Sequence, residues 1–483
     1  MFTSLDLLVL IVYIGGVTVA GVWLGRGQTG AQDYFLGGRD LPWGAVLFSV
    51  VATETSTLTF LSIPGLAYVT DLNFLQITIG YLIGRVVVAF VLLPAYYRGE
   101  IATAYALLEQ RFGLATRRFA SAIFMVTRAL ADGVRLFATA IPLALITDWS
   151  YPTSILVIGA LTLVYTYYGG IRAVVWMDAL QLFVYLGGAV AALVLITWSV
   201  PGGLGGIMDA AGAAGKLDVL RLGWDLSEPY TLWAGLIGGA FLSMASHGAD
   251  QLIVQRLLTC RDLKSSQKAL IGSGVVVIAQ FALFLFIGLG LWVFYGGAEF
   301  AMSDEIFATF VIEEMPPGVT GLVIAAIFAA AMSSLSSSLN SLASASTYDL
   351  YAPLRSGVTE ESLFRMGRVF TLVWGAILVG GALLFTSKET PVVELGLAIA
   401  SFTYGGLLGA FVLGILNKRA IQRDAIWAIG VGIAVMTFIV FSGLGIAWPW
   451  HVVIGTFVTF ATGSLLAMSH APPADPVVIA PEV

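Results

Sequence analysis

Apolar residues fill this chain in long unbroken stretches, and the charged residues lie mostly in the short segments between them. A run of about 20 apolar residues is long enough for a helix to span the hydrocarbon core of a bilayer. Barrel strands show shorter, alternating patterns, and lipid tolerates no other spanning structure. The pattern therefore predicts an all-α polytopic membrane protein with about thirteen transmembrane helices.

Composition supports a chain that lies in lipid. Hydrophobic residues make up 58% of it and charged residues 11%, whereas a soluble domain carries about 25% charged residues. The first apolar stretch, from about Leu5 to Leu24, has no basic leading segment and no small-residue cleavage site, so we expect a retained helix. The single cysteine, Cys260, cannot form an internal disulfide, and no binding to nucleic acid is expected.

The Lys and Arg residues divide unequally between alternate loops. With the N-terminus outside, seventeen of the 23 fall in segments predicted to lie inside, Arg256 among them, and only Lys216, Arg221 and Lys388 fall outside. Cytoplasmic loops are enriched in Lys and Arg. The distribution therefore predicts a multi-pass protein of the cell (inner) membrane whose N-terminus is outside and whose C-terminus is cytoplasmic.

Thirteen spans divide into one leading helix, two sets of five and two trailing helices. Because five is odd, the second set enters the membrane from the opposite side, which is the arrangement of inverted repeats in transporters. The predicted segments are the leading helix with a cytoplasmic loop (1–42), the first five-helix repeat (43–199), an extracytoplasmic loop (200–229), the second five-helix repeat (230–417), two trailing helices (418–468) and a disordered cytoplasmic tail (469–483).

The first helix of each set contains an interruption. In the first set a polar run from Thr53 to Thr59 precedes a Ser-Ile-Pro-Gly segment that ends at Gly65, and in the second set polar residues run from Ser246 to Gln251. A discontinuous helix frees carbonyl groups and helix ends that hold ions and substrate. The alternative is a kink whose polar groups neighbouring helices satisfy.

Ionisable and hydroxyl residues inside the predicted spans are the candidate functional groups. Glu54 lies in a hydroxyl-rich segment whose hard oxygens suit Na⁺ or a proton. A serine run from Ser333 to Ser341 shares a helix face, either as cation ligands or simply for close helix packing. His247 is the one histidine predicted mid-span, where it serves either the site or the packing.

Arg128, Asp132 and Arg135 are spaced i, i+4 and i+7, which places them on one helix face. Asp132 neutralises one arginine, and the other then needs an anion. Arg135 lies near mid-span, so we predict that its guanidinium binds a substrate carboxylate. The alternative is an internal ion-pair network. Asp178, near the inner end of the sixth span, is either functional or a helix-start acid favoured by the helix dipole.

Four segments together resemble the sodium/solute symporter family. In chain order they are Asp33 to Arg39, Gly169 to Asp178, Asp250 to Arg256, and Ser333 to Asn340. The resemblance covers almost the whole chain. It implies the leucine-transporter-type fold of two inverted five-helix repeats, with alternating access and sodium-driven uptake.

The resemblance also implies ion-binding residues. The family's common sodium site matches Ala52, Thr55, Ala330, Ser333 and Ser334. A second sodium site, found in some members, matches Asp178, Ser336 and Ser337. The sequence therefore predicts one bound Na⁺ and permits two.

The resemblance does not point to a single class of substrate. Sugar-carrying relatives place Glu and Gln where this chain has Leu58, Thr59 and Thr78, which argues against a sugar. Carboxylate-carrying members have pockets that resemble the set Ser56, Thr59, Phe74 and Thr78, to which Arg135 would add a positive charge. The remaining residues predicted to face the substrate are Glu54, His247, Asp250 and Gln251. An Asp at position 250 would suit an amino group.

The resulting hypothesis is a sodium-coupled secondary active symporter that imports a small organic solute, such as a monocarboxylate or an amino acid, with no obligatory protein partner. The alternatives are coupling to protons, a sugar or other neutral solute as cargo, and a non-transporting sensor on the same fold. An enzyme is not expected, because no metalloprotease motif or other nucleophile–base constellation occurs.

Overall fold

A computed structural model describes residues 3–28, 30–99, 101–147, 149–384 and 392–470 of the chain, and these ranges are almost entirely helical. The predicted all-α class is confirmed. Lys388, and all but the first two residues of the predicted tail 469–483, lie outside the described residues.

The α-helices of the described ranges are joined mostly by short connections, and the longest described connection lies between α10 and α11. In chain order they are α1 (Ser4–Leu24), α2 (Ala31–Leu36), α3 (Trp43–Glu54), α4 (Thr57–Val69), α5 (Leu75–Val87), α6 (Leu93–Tyr97), α7 (Ala104–Phe112), α8 (Leu114–Thr147), α9 (Tyr151–Ser199), α10 (Gly203–Ala213), α11 (Gly239–Gly248), α12 (Gln251–Leu257), α13 (Leu263–Phe294), α14 (Ser303–Glu313), α15 (Val319–Ala345), α16 (Glu360–Leu384), α17 (Val392–Leu416), α18 (Gln422–Phe441) and α19 (Pro449–Ala467).

Several of these helices have the length and hydropathy of membrane spans. Eight spans in the described ranges pass both criteria, and the pair α3 and α4, bent by 61°, makes nine if it counts as one span. The multi-pass membrane class is therefore confirmed, whereas the total of thirteen spans stays a prediction.

Helix α9 folds back on itself at Gly170. Its 49 residues would extend about 74 Å as one straight helix, more than twice the hydrocarbon thickness. Tyr165 donates to the carbonyl of Met332 at 3.0 Å, and Asp178 accepts from the neighbouring Ser333 at 2.8 Å. Two residues thirteen positions apart reach one turn of α15 only if the chain reverses, and the φ of 52° at Gly170 supplies the reversal.

Two further helices are interrupted where the sequence predicts. The first break falls at Thr55 and Ser56, which have extended backbone angles between α3 and α4. The second falls at Ala249 and Asp250, between α11 and α12. Pro64 lies inside α4, so the hydroxyl-rich run marks the first break, and the Ser-Ile-Pro-Gly segment does not.

Helix α15 is the centre of the protein. Its residues are buried from Val323 to Ala345. It packs mainly against α9, where a Cβ on Gly188 would come within 3.0 Å of the Cβ of Ala326. At its N-terminal end the carboxylate of Asp6 in α1 accepts from the backbone N–H groups of Gly318 and Gly321, at 2.7 and 2.8 Å. These bonds satisfy amides that a helix start leaves without partners.

We expect Gly170→Ala to lower the melting temperature of the protein in detergent. A side chain at this left-handed position is strained by about 1–3 kcal/mol, and the added Cβ would lie 2.6 Å from the carbonyl oxygen of Tyr34. Gly187→Ala is the matched control, because nothing lies within 4 Å of a Cβ there. Equal melting temperatures for the two variants would contradict the reversal at Gly170.

Candidate functional site

The break between α3 and α4 lies against the middle of α15. The hydroxyls of Thr53 and Ser337 are 3.1 Å apart, and Thr57 donates to the carbonyl of Ile327 at 3.2 Å. These two contacts bracket the facing segments on which the predicted sodium-site residues lie. Those residues are Ala52 and Thr55 on the α3 side, and Ala330, Ser333 and Ser334 on α15.

The place where the break between α3 and α4 meets α15, here called the crossing, supplies neutral oxygen atoms. The N–H of Thr55 donates to Val51 at 3.0 Å as the last backbone bond of α3, and the next such bond runs from Phe60 to Ser56, so the carbonyls of residues 52–55 have no helical donor. The buried hydroxyl of Ser334 has no hydrogen-bond partner among the described residues. Carbonyl and hydroxyl oxygens are hard ligands that suit Na⁺. The predicted set therefore fits this ion.

The residues predicted for a second sodium site surround a buried ion pair. Asp178 accepts from Ser49 at 2.7 Å and from Ser333 at 2.8 Å, and Arg256 lies 3.2 Å away. Arg256 also donates to the hydroxyl of Ser337, while Ser336 turns toward the carbonyl of Ser333. A second Na⁺ at this place would have to share Asp178 with the guanidinium.

Arg256 is a buried charged residue to which the sequence analysis assigned no role beyond its place in a segment predicted to lie inside. Its side chain is fully buried, because α12 continues within the protein after the break at Asp250. A buried arginine requires a carboxylate partner, and that requirement was the available signal.

Glu54 and His247 also come together. Glu54, at the last residue of α3, forms an ion pair with Arg85 of α5. The Nε2 atom of His247, in α11, lies 3.7 Å from the Glu54 carboxylate. The ends of the two interrupted helices therefore meet at one carboxylate. Arg85 had no assigned role in the sequence, although an arginine in a span is itself a functional signal.

The arginine face of α8 has one more carboxylate partner than the sequence indicated. Arg128 lies 2.5 Å from Asp250, which also accepts from the hydroxyl of Tyr404 at 2.7 Å. Asp132 lies 3.3 Å from Arg135 and 3.6 Å from Arg128. The expectation that one arginine lacks a counter-charge is wrong, because Asp250 arrives from another interrupted helix. Asp250 is thereby engaged in an ion pair.

Arg135 nevertheless lines a cavity beside the predicted sodium site. Its side chain is 28% exposed, and the cavity is lined by Ser56, Thr57, Asp132, Arg135, Leu136, Thr139, Ala331, Ser334 and Leu335. With about 20 Å³ of space, the cavity holds one water molecule. A larger solute requires the surrounding helices to move apart.

Seven of the nine residues predicted to face the substrate do not line this cavity. Three of them, Glu54, His247 and Asp250, form the charge contacts described above, and the other four lie elsewhere. Thr78 donates to the carbonyl of Leu75 at 2.7 Å, one turn from Phe74, whose ring stacks on Phe281. Gln251 accepts from the backbone N–H of Ala104 at 2.7 Å. Thr59 lies in α4 beyond the cavity wall formed by Ser56 and Thr57.

These features define a class, the secondary transporters that couple a solute to a cation through interrupted helices. Within that class, residues 34–432 match the description "Sodium:solute symporter family", and the chain belongs to this family. The predicted family, sodium coupling and non-enzymatic role are thereby confirmed. The number of sodium ions and the orientation of the termini stay predictions.

Two relatives and one solved structure show how close the likeness is. The chain is 32% identical to the sodium/sialic acid symporter NanT of Aliivibrio fischeri, over 96% of this chain and 93% of that protein. It is 31% identical to the sodium/sialic acid symporter SiaT of Proteus mirabilis, over 98% and 96%. Its structure matches a substrate-bound, outward-open Na⁺-coupled sialic acid symporter with a TM-score of 0.89 and 30% identity, covering 98% and 99% of the two chains.

We expect Asp250→Ala to destabilise the protein strongly, because it leaves Arg128 buried without its nearest carboxylate. Removing one partner of a buried pair costs about 3–5 kcal/mol. Replacing both partners, as Arg128→Met with Asp250→Leu, should recover much of the loss in melting temperature. Glu361→Ala, which breaks a pair exposed to solvent, is the control and should change little. A double variant that melts below Asp250→Ala would contradict the pairing.

Proposed function

We propose that this symporter imports an organic anion that binds through its carboxylate to Arg135, together with Na⁺. The observation that supports this proposal is the position of Arg135, which lines the same cavity as Ser56 at the helix break and Ser334 of the predicted sodium site. A guanidinium offers paired N–H donors that match the two oxygens of a carboxylate. Solute and ion would therefore bind within one small volume.

The charges around the site favour an anion over a neutral solute. Four arginines around the site each have an acidic partner, in the pairs Arg85 with Glu54, Arg128 with Asp250, Arg135 with Asp132, and Arg256 with Asp178. A Na⁺ held by neutral oxygens then adds an uncompensated positive charge to a poorly solvated interior, which is costly. A carboxylate beside it compensates that charge. Ion and anion would therefore raise each other's affinity.

Sialic acid, an acidic sugar, is the first substrate to test. The two relatives named above are sialic acid symporters, and a sialic acid combines a carboxylate for Arg135 with hydroxyl groups for the polar cavity wall. The apolar Leu58 and the short Thr78, where sugar carriers have longer polar side chains, are the features that favour a smaller monocarboxylate or amino acid instead. All three classes share the carboxylate.

Transport would follow from movement of the interrupted helices. The cavity has room for one water molecule, so loading and release both require α3–α4 and α11–α12 to shift relative to α8 and α15. With the predicted orientation, each Na⁺ moving inward through 100 mV contributes about 2.3 kcal/mol, and a monovalent anion carried with it costs the same amount. The concentration gradient of Na⁺, and the potential acting on any second Na⁺, would therefore drive accumulation of the anion.

Uptake into proteoliposomes tests the proposal directly. We expect an inward Na⁺ gradient to drive uptake of labelled sialic acid, or failing that of a monocarboxylate or amino acid, and a neutral sugar to be refused. Uptake of a neutral sugar at the same rate as these anions would contradict the carboxylate proposal.

We expect Arg135→Ala to raise the KM for the anion by roughly 10- to 100-fold, since hydrogen bonds to charged groups contribute about 1.5–3 kcal/mol. Arg135→Lys should recover part of the loss, because it restores the charge without the paired donors. Arg365→Ala, at an exposed arginine, is the control. A normal KM in Arg135→Ala would show that the carboxylate binds elsewhere.

We expect Ser334→Ala to raise the Na⁺ concentration needed for half-maximal uptake, because it removes the buried hydroxyl for which the described part of the chain supplies no hydrogen-bond partner. The maximal rate at saturating Na⁺ should change little. Ser338→Ala would be a poor control, since Ser338 bonds to Asp132, whereas Ser199→Ala, at the exposed end of α9, is a suitable one. An unchanged Na⁺ requirement in Ser334→Ala would contradict the site.

A further inference from the structure

A buried glutamine reaches the first helix break from a third helix. Gln280, in the middle of α13, is 2% exposed. Its side-chain N–H group donates to the hydroxyl of Thr55 at 2.7 Å and to the hydroxyl of Tyr185 at 3.1 Å. Burying a primary amide is unfavourable unless it is hydrogen-bonded. The hydrogen bonds that satisfy this buried amide therefore connect Gln280 to Thr55.

Thr55 is held from two sides. Its hydroxyl accepts from Gln280 and donates to the carbonyl of Val51 at 2.8 Å. The second bond ties the break to the last turn of α3, and the first ties it to α13. Thr55 has φ −89° and ψ 110°, so it is the residue at which the chain leaves the helix. The position of Thr55 therefore affects the direction in which the neighbouring backbone carbonyl groups point.

The glutamine is itself held in place by aromatic packing. The ring of Tyr185, in the second half of α9, lies 5.2 Å from Phe60 of α4 and 5.2 Å from Phe284 of α13. Gln280 thus joins α9 and α13 to the break that α4 continues. Its side-chain carbonyl is buried and has no partner among the described residues, so a second polar atom remains available beside the break.

We propose that Gln280 is a positioning residue for the sodium site. By fixing the Thr55 hydroxyl it orients the carbonyls of the broken helix toward Ser333 and Ser334 of α15. This inference rests on the proposed placement of sodium at that crossing. It predicts an effect on sodium affinity and none on the binding of the anion at saturating Na⁺, because Gln280 does not line the Arg135 cavity.

The test measures Na⁺-dependent uptake by the full chain in proteoliposomes. Gln280→Met should raise the half-saturating Na⁺ concentration by about 5- to 10-fold, the loss of one or two ordinary hydrogen bonds, while the KM for the anion at saturating Na⁺ stays unchanged. Gln267→Met is the matched control. Gln267 lies on the same helix and donates to the carbonyl of Ala89 at 2.9 Å, far along α13 from the break.

A double-mutant cycle separates positioning from general packing. Thr55→Val removes the acceptor and should raise the Na⁺ requirement as Gln280→Met does, and the two changes together should raise it no further than either alone. Thr55→Ser keeps the hydroxyl and should shift the Na⁺ requirement less than Thr55→Val does. The comparison of Thr55→Val with Thr55→Ser tests the same bond if Gln280→Met does not fold.

Four results would overturn the proposal. They are a normal Na⁺ requirement in Gln280→Met, fully additive effects of Gln280→Met and Thr55→Val, an equal shift in Gln267→Met, and a normal Na⁺ requirement in Thr55→Val. A different result would contradict the proposed sodium site itself. If Ser334→Ala leaves the Na⁺ requirement unchanged, the ion lies elsewhere, whereas a shift in Ser334→Ala without one in Gln280→Met rejects only the role of the glutamine.

Discussion

A helix that ends inside the hydrocarbon region must satisfy the carbonyl groups of its last turn, and the rest of this structure depends on how α3 meets that requirement. Water is absent there, and each unsatisfied group costs several kcal/mol. The chain meets part of this requirement locally, because the hydroxyl of Thr53 donates to the carbonyl of Ser49 and that of Thr55 to the carbonyl of Val51, while a glutamine from α13 holds Thr55. Oxygens that remain without donors are then suited to a cation, so the structural requirement and the ion-binding property are the same feature.

The charged residues obey the same constraint in another form. Buried charges are tolerated when paired, and here each pair joins different helices or different turns: α3 to α5, α8 to α12, and α9 to α12. The arginine of the cavity is the exception in its exposure, because its partner is three residues away on α8 and its guanidinium reaches the cavity wall. Among the paired arginines of the described residues named above, Arg135 is the one that lines the cavity. A cation and an anion that bind there together add no net charge to this interior, whereas either one alone does.

Sequence patterns predicted the spans, the two breaks and the serine face, because length, hydropathy and helical spacing are local properties. The partners were not predictable in this way. Asp250 meets Arg128 across 122 positions and Arg256 meets Asp178 across 78, and periodicity tells which residues share a face without telling which faces meet. The sequence analysis extended the first interruption to the segment that contains Pro64, yet this proline lies inside α4. Hydroxyl groups that compete for backbone hydrogen bonds mark the break instead.

The bond between the leading helix and α15 has a consequence for biosynthesis. The chain is made from its N-terminus, so α1 exists long before Gly318 and Gly321, whose amides Asp6 finally binds. During that interval the carboxylate is not without partners, because Thr3 donates to it from both its backbone N–H at 2.8 Å and its hydroxyl at 2.6 Å. The hydrogen bonds from Thr3 thus serve one carboxylate oxygen of Asp6 before α15 is inserted. Only the other oxygen changes its partners when the amides of Gly318 and Gly321 become available.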